Sequence, residues 1–139
     1  MPTVKFVANP GKGDGMPESV KETVRTHLDH GRACLDKGKY DDAIADYTEA
    51  IALDPNVATA YTIRGDAYAE KGEFDRAIAD FTKAIGLDPN DAITYYNRGY
   101  TYAKKGDEDQ AIADFRKVLE IDPSDQDAKE GLKRLGVTP

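Results

Sequence analysis

The chain has 139 residues, a formal net charge of -7 and 40% hydrophobic residues, enough apolar side chain to form a core. This length fits one domain of ordinary size or one short repeat array. An acidic chain lacks the basic surface that phosphate groups require, so we expect no nucleic acid partner. The only cysteine, Cys34, excludes an intramolecular disulfide and fits a cytoplasmic location. Neither a secretory leader nor an apolar run of membrane-spanning length is visible, so we expect no membrane partner.

Residues 1–17 differ in character from the rest of the chain. The apolar stretch TVKFVA is followed by NPGKGDGMP, whose proline and glycine content predicts a flexible N-terminal leader. Its glycines do not form a phosphate-binding loop, because the Walker spacing and the Ser or Thr after Lys are missing. An alternative is that Val4, Phe6 and Val7 dock in a groove of this molecule or of a neighbour. A self-assembling structural module, using the leader or the open ends of an array, is therefore an alternative function, and a homo-oligomer its product.

Helical periodicity begins after Pro17, a residue favoured in the first turn of a helix. Val20, Val24, His27 and Gly31 follow at helical spacing along one stripe. We expect a long first helix from about residue 18 to 37, ended by a glycine at position 38. Its extra turn would shield the open end of a stack of helices.

The sequence of residues 58–91 recurs, with substitutions, 34 positions later in the chain. More than half of the positions are identical between 58–91 and 92–125, and a shift in the other direction places the preceding segment in the same register. The positions shared by the second and third copies are Tyr61, Arg64, Gly65, Tyr68, Gly72, Ala77, Asp80, Phe81 and Pro89 with their partners Tyr95, Arg98, Gly99, Tyr102, Gly106, Ala111, Asp114, Phe115 and Pro123.

This pattern resembles the tetratricopeptide repeat family, which has a 34-residue period and a Gly, Tyr, Ala, Phe and Pro signature. The resemblance implies an all-α fold, an α-α superhelix or solenoid of three helix-turn-helix repeats at about 18–57, 58–91 and 92–125. Residues 126–139 would form a C-terminal capping helix and tail. It also implies a non-catalytic adaptor or scaffold that binds a peptide or protein segment in a concave groove. We expect no enzyme activity, since both histidines share one helix and no set of nucleophile, base and orienting acid can be proposed, and we expect no cofactor.

The recurring positions of small and charged residues in the repeats predict how each helix pair is built. A glycine on the first helix of each pair would let the second helix approach closely, and an alanine on the second helix would provide the matching small surface. The glycines are Gly31, Gly65 and Gly99, and the alanines are Ala43, Ala77 and Ala111. Asn56, Asn90 and Ser124 are candidates to cap the next helix, to within a residue. Arg64 and Arg98 stand where the family is usually apolar. We therefore predict that they form ion pairs with Asp80 and Asp114.

The resemblance also implies which residues face the groove. The candidate peptide-binding residues are Arg32, Thr59, Thr62, Ile63, Asp66, Ile93, Tyr96, Asn97 and Tyr100. Tyr96 and Tyr100 lie one turn apart and are suited to be rigid anchors, although exposed tyrosines can also simply cover a neighbouring helix. The expected ligand is an extended or helical segment with apolar or aromatic anchors and a basic residue near Asp66 and Glu70.

Chaperone-binding members of the family hold a peptide carboxylate with five Lys, Asn and Arg side chains. At the corresponding positions this chain has Leu28, Arg32, Ile63, Ile93 and Asn97. The clamp is absent, so we do not expect a chaperone C-terminal tail as partner.

His27, His30 and Cys34 lie on one face of the first helix, at a spacing that could bring three ligands to a metal ion. In the repeat register they stand where the other units have Tyr, Arg and Tyr. We therefore predict that all three face the core and pack there. Metal binding at His27, His30 and Cys34 is the minor alternative.

Overall fold

The structure is a computed structural model and describes residues 15–139. The predicted leader and the docking of its apolar residues therefore lie outside the described residues, apart from residues 15–17. Seven helices follow one another with short connections: α1 (Glu18–Asp36), α2 (Tyr40–Leu53), α3 (Ala58–Glu70), α4 (Phe74–Leu87), α5 (Ala92–Lys105), α6 (Glu108–Ile121) and α7 (Gln126–Arg134). No strand forms within the described part of the chain. The predicted all-α fold is confirmed.

The helices pack in sequential order. The pairs α1 with α2, α3 with α4 and α5 with α6 make the main contacts, each pair then packs on the next, and α7 packs on α6. Among residues 15–139, none of the helices is both long and apolar enough to cross a lipid bilayer. Within each pair, an apolar face of one helix packs against an apolar face of the other. This packing stabilises both helices, because short helices are only marginally stable alone.

The first helix of each pair ends at a glycine in the left-handed conformation. Gly38, Gly72 and Gly106 have φ of 73°, 78° and 96°. The residue after each glycine donates its backbone N–H to a carbonyl of the last helical turn, at 2.8 to 2.9 Å. This arrangement pairs carbonyls that the end of a helix leaves without partners. It also turns the chain sharply enough for the second helix to run back along the first.

The side chains predicted to cap the later helices are not the ones that do so. Asp91 and Asp125 accept hydrogen bonds from the backbone N–H groups of Ile93 at 3.0 Å and Ala128 at 2.9 Å. No side chain caps α3. A cap must occupy the residue directly before the first helical turn. Asn90 and Ser124 lie one residue too early for this, within the range that the prediction allowed.

The predicted close approach of the paired helices occurs, but against a different surface. A Cβ atom on Gly65 would lie 2.7 Å from the ring of Phe81, and one on Gly31 would lie 2.8 Å from the ring of Tyr47. Gly99 meets the ring of Phe115 in the same way. The glycines therefore make room mainly for the aromatic side chain of the second helix, and Gly65 also for the backbone oxygen of Ala77, which lies 3.2 Å from the same Cβ position.

The structure confirms the ion pairs that we predicted within the second and third repeats. Arg64 donates to both carboxylate oxygens of Asp80 at 2.8 and 2.7 Å, and Arg98 binds Asp114 with the same two distances. Each guanidinium also lies 5.8 to 5.9 Å from the ring centres of two tyrosines of its own helix. Planar two-point contacts of this kind suit arginine and not lysine.

Two sets of hydroxyl contacts join one repeat to the next. Arg64 donates its remaining terminal nitrogen to the hydroxyl of Thr48 at 3.2 Å, and Arg98 does the same to Thr82 at 3.1 Å. Both threonines belong to the preceding repeat. Each arginine thus links its own helix pair to the one before it, which adds a directional contact to the apolar packing between repeats.

Candidate functional site

The predicted groove residues come from the first helices of the repeats, and their exposure differs widely. Ile93 and Tyr100, two turns apart on α5, are 67% and 44% exposed. Arg32 and Thr59 are also exposed, whereas Ile63, Asp66, Tyr96 and Asn97 are partly buried. Large apolar side chains with this exposure, at a spacing that puts them on one helix face, form a surface available for contact.

Thr62 does not fit its prediction as a groove residue. Its side chain is buried, and its hydroxyl lies 2.9 Å from the hydroxyl of Thr94. Thr94 in turn donates to Asp91 at 2.9 Å. The position of Thr62 thus faces the next repeat, because the helices α3 and α5 come close together at this point.

Two clefts lie on either side of α5. The middle cleft, between the second and third repeats, has a volume of about 340 Å³ and is lined by Asp66, Ala69, Glu70, Phe74, Phe81, Asn97, Tyr100, Thr101 and Lys104. The terminal cleft, between α5 and α7, has a volume of about 290 Å³ and is lined by Tyr96, Tyr100, Ala103, Lys104, Phe115, Asp127, Glu130, Gly131, Arg134 and Leu135. Tyr100 and Lys104 line both clefts, whereas Arg32, Thr59, Ile63 and Ile93 line neither.

The two tyrosines of the predicted anchor have different surroundings. The ring of Tyr96 lies 5.6 Å from the ring of Phe115 and 6.3 Å from that of Tyr100. Burial raises the pKa of Tyr96. The ammonium of Lys104 lies 5.1 Å from the ring centre of Tyr100, a distance typical of a cation–π contact. Tyr96 is therefore partly a packing residue, whereas Tyr100 is the more exposed of the two.

Asp66 and Asn97 are held together across the boundary between the second and third repeats. The amide nitrogen of Asn97 donates to Asp66 at 2.9 Å. Burial raises the pKa of Asp66 to about 7, and the negative charge of Glu70 raises it further. The hydrogen bond from Asn97 and the positive charge of Arg32 lower the pKa, but by less. A carboxyl group with such a pKa changes its charge near neutral pH.

This pKa predicts a pH-dependent stability that Asp66→Asn should remove. The folded-state pKa lies above the ordinary value of 3.8, so the stabilising effect of protonation is full below that value and is lost as the pH rises through about 7. Between pH 5 and pH 8 the free energy of unfolding of the wild type should fall by about 1–3 kcal/mol relative to that of the variant. The lower end of this range applies because the Asp66 side chain is partly in contact with solvent. Urea unfolding at both pH values measures this difference. The exposed Asp109→Asn is the control, and an equal pH response of the two variants would contradict the prediction.

The predicted capping helix, α7, also forms one wall of the terminal cleft, a role that the sequence analysis does not include. Asp127, Glu130 and Arg134 all line this cleft. They are spaced by three and four residues, and this places them on one face of a helix. The spacing was visible in the sequence and could have identified the polar wall.

The five positions of the absent carboxylate clamp are mostly occupied by apolar or engaged side chains. Leu28 and Ile63 pack against the buried cluster around Tyr47, and Ile93 is exposed. Asn97 is bonded to Asp66, which leaves Arg32 as the one cationic side chain of the five.

The histidines and the cysteine of the first helix do not all face the core. Cys34 is buried and His27 is partly buried, but the side chain of His30 is 67% exposed, so the prediction is wrong for His30. Both imidazole rings hydrogen-bond to Asp46, the first-repeat counterpart of Asp80 and Asp114. The two tyrosine rings that flank Arg64 in the second repeat are replaced around His30 by the smaller His27 and Cys34.

Comparison with known proteins supports one family. Models described as tetratricopeptide repeat (TPR) match residues 28–92 and 92–125. A comparison with curated proteins gave no match. Among solved structures, the Arabidopsis OM64 TPR domain is 33% identical with a TM-score of 0.80, over 84% of this chain and 96% of that chain.

Two further similar structures contain a bound peptide. The first TPR of Spaghetti (RPAP3) bound to the HSP90 peptide SRMEEVD is 27% identical, over 83% of this chain and 91% of that chain, with a TM-score of 0.80. The second TPR domain of human RPAP3, in complex with the HSP70 peptide SGPTIEEVD, is 29% identical, over 84% and 98% of the two chains, also with a TM-score of 0.80. The helix pairs, the 34-residue register and these matches together show that the chain belongs to the tetratricopeptide repeat family.

Proposed function

We propose that the protein is a non-catalytic adaptor that binds a peptide segment along the face of α5 that carries Ile93 and Tyr100, here called the inner face, across the middle and terminal clefts. The observation that carries this proposal is the exposed pair Ile93 and Tyr100 on one face of α5, with a cleft on each side of Tyr100. The family fold is a protein-interaction fold, and two of the similar structures hold peptides.

The charges around the clefts define the chemistry of the ligand. Asp66 and Glu70 line the middle cleft, and Asp127 and Glu130 line the terminal cleft, against the cations of Lys104 and Arg134. An acidic peptide tail is disfavoured here, because the clamp positions carry Leu28, Ile63 and Ile93. The proposed ligand has an apolar or aromatic side chain for Tyr100 and a basic side chain for the acidic walls.

Selection from a library of random peptides displayed on phage tests this proposal. Peptides selected on the wild-type protein should contain aromatic or aliphatic anchors and a Lys or Arg. Tyr100→Ala should weaken their binding by roughly 30-fold, the loss typical of a central aromatic anchor. Isothermal titration calorimetry with synthetic copies of the selected peptides measures this loss.

The chain offers a matched control for this experiment. Leu53, at the end of α2, is a large apolar residue that is 38% exposed and lines neither cleft. Leu53→Ala should leave peptide affinity unchanged. The double change of Tyr96 and Tyr100 is a poorer test, because Tyr96 packs on Phe115 and its loss would disturb the fold. If selected peptides bind Tyr100→Ala as tightly as the wild type, the inner face of α5 is not the binding surface.

A further inference from the structure

The first repeat differs from the other two around one carboxylate that all three share. In the second repeat Asp80 binds Arg64, which lies between the rings of Tyr61 and Tyr68. The third repeat has the same arrangement around Asp114. In the first repeat the carboxylate is kept as Asp46, but the three surrounding positions become His27, His30 and Cys34. All three replacements are residue types that bind transition metals.

The structure brings three of these side chains together. The imidazole of His30, the thiol of Cys34 and a carboxylate oxygen of Asp46 lie within 4.8 Å of one another. His30 Nδ1 is 2.5 Å from Asp46 Oδ2, and Cys34 Sγ is 3.8 Å from His30 Nδ1. Three donors from two helices thus converge on one point, as a metal site requires.

We propose that His30, Cys34 and Asp46 form a Zn²⁺ site with a fourth position open to water. The nitrogen, sulfur and oxygen donors match those that zinc accepts, whereas a thiolate disfavours magnesium and calcium. The thiol of Cys34 gives its proton to solvent on binding, since the thiolate is the ligand. His30 is exposed above the buried sulfur, so an ion can enter from solvent.

The distances need only a small adjustment to hold the ion. Tetrahedral bonds of about 2.0 Å to nitrogen and oxygen and about 2.3 Å to sulfur put the ligand atoms roughly 3.3–3.6 Å apart. The sulfur-to-nitrogen distance of 3.8 Å is close to this range, and the His30–Asp46 contact must open by under about 1 Å. The Cys34 sulfur and the Asp46 oxygen, which lie within 4.8 Å of each other, must approach by no more than about 1.3 Å. The exposed ring of His30 is free to make this movement.

His27 has a positioning role in this arrangement. Its Nδ1 lies 3.0 Å from Asp46 Oδ1, the carboxylate oxygen that does not face His30. A hydrogen bond to the non-binding oxygen of a metal-binding carboxylate fixes its orientation. His27 is therefore not one of the three ligands, in contrast to the set of His27, His30 and Cys34 suggested by spacing alone.

The charges around Asp46 also favour a bound cation. In the second repeat the positive charge of Arg64 compensates the negative charge of Asp80. In the first repeat no arginine occupies that position, and a dication bound by one thiolate and one carboxylate compensates both negative charges. The metal would thus take the structural place of the arginine, tying α1 to α2.

Titration with Co²⁺ and with Zn²⁺ tests the proposal on the full chain. Co²⁺ should bind at one equivalent per chain and give the near-ultraviolet charge-transfer absorption of a cobalt–thiolate bond. Because Cys34 is the only cysteine, this absorption identifies the ligand without any substitution. Zn²⁺ should displace the cobalt and raise the melting temperature by its preferential binding to the folded state.

Substitutions separate this site from nonspecific surface binding. Cys34→Ser and Asp46→Asn should each weaken Zn²⁺ binding at least about tenfold, in line with the loss of a ligand or of its support. Asp29→Asn, an exposed carboxylate on the same helix, is the matched control and should bind like the wild type. Absence of the thiolate absorption, or an affinity that Cys34→Ser leaves unchanged, would overturn the proposal. The cobalt–thiolate absorption is measured on the unsubstituted chain, so this test does not depend on whether a variant folds.

Discussion

Asp80→Ala is expected to lower the free energy of unfolding by about 3 kcal/mol, the cost typical of leaving one member of a buried ion pair without its partner. The side chain of Asp80 is only 8% exposed, and Arg64 binds both of its oxygens. Without the carboxylate, the guanidinium stays between Tyr61 and Tyr68 with no compensating charge. Urea unfolding followed by circular dichroism at 222 nm measures this loss.

The control is another aspartate of the same helix. Asp75 forms a contact of 2.6 Å with Lys105, but its side chain is 80% exposed. An exposed ion pair gains little, because water screens it and ordering two side chains costs entropy. Asp75→Ala should therefore have a far smaller effect. A double-mutant cycle with Arg64→Met isolates the coupling between Arg64 and Asp80. If the two aspartate variants are equally stable, the pair has no structural role.

Phe115→Ala is expected to cost about 3–5 kcal/mol, as for a large aromatic residue removed from a packed core. The side chain is 2% exposed and lies against both Gly99 of α5 and Gly131 of α7. It also supports the ring of Tyr96. The variant should therefore lose the packing of α7 as well as that of its own repeat. Urea unfolding gives the overall loss.

Hydrogen exchange distinguishes this loss from a general destabilisation. Phe81 holds the same repeat position in the second repeat and is fully buried, but its glycine contact is with Gly65. Phe81→Ala should lower overall stability by a similar amount without selective exposure of α7. In Phe115→Ala, the amides of α7 should exchange faster than those of the other helices. Equal exchange of α7 in both variants would show that Phe115 does not attach it.

The sequence predicted the architecture well because the repeat supplies three independent readings of one pattern. The order of helices and the end of the first helix at Gly38 followed from periodicity and from glycine chemistry. The partners of Arg64 and Arg98 followed from the cost of burying a charge alone. The sequence did not predict which side chains meet where two helices pack closely. The aromatic ring opposite Gly65 could be seen only once the helices were placed. The capping aspartates lie one residue from the predicted caps, and the helix bounds decided between them.

The candidate site was predicted less completely than the fold. The repeat register placed Tyr100 and Ile93 on the accessible face, but it assigned Thr62 to the groove although its hydroxyl lies buried against Thr94. Asn97, expected to contact a ligand, lines the middle cleft and also donates a hydrogen bond to Asp66, a contact that the register did not predict. Register alone cannot separate these cases, because residues on one helix face can meet either a neighbouring repeat or solvent. The role of Asp46 beside His30 and Cys34 also required the distance between α1 and α2.

Because of the arginine-to-threonine contacts between repeats, the second repeat can be duplicated without loss of these contacts. Arg64 takes its acceptor, Thr48, from the preceding unit, and residues 58–91 supply Thr82 as the acceptor for Arg98 of the following unit. A duplicated copy of residues 58–91, inserted after residue 91, would carry both halves of this contact and would satisfy its neighbours on each side. The third repeat has Arg116 where the acceptor threonine would be. Only the second repeat therefore has the residues needed to lengthen the array, and the same property makes it a natural unit for building longer versions of the protein.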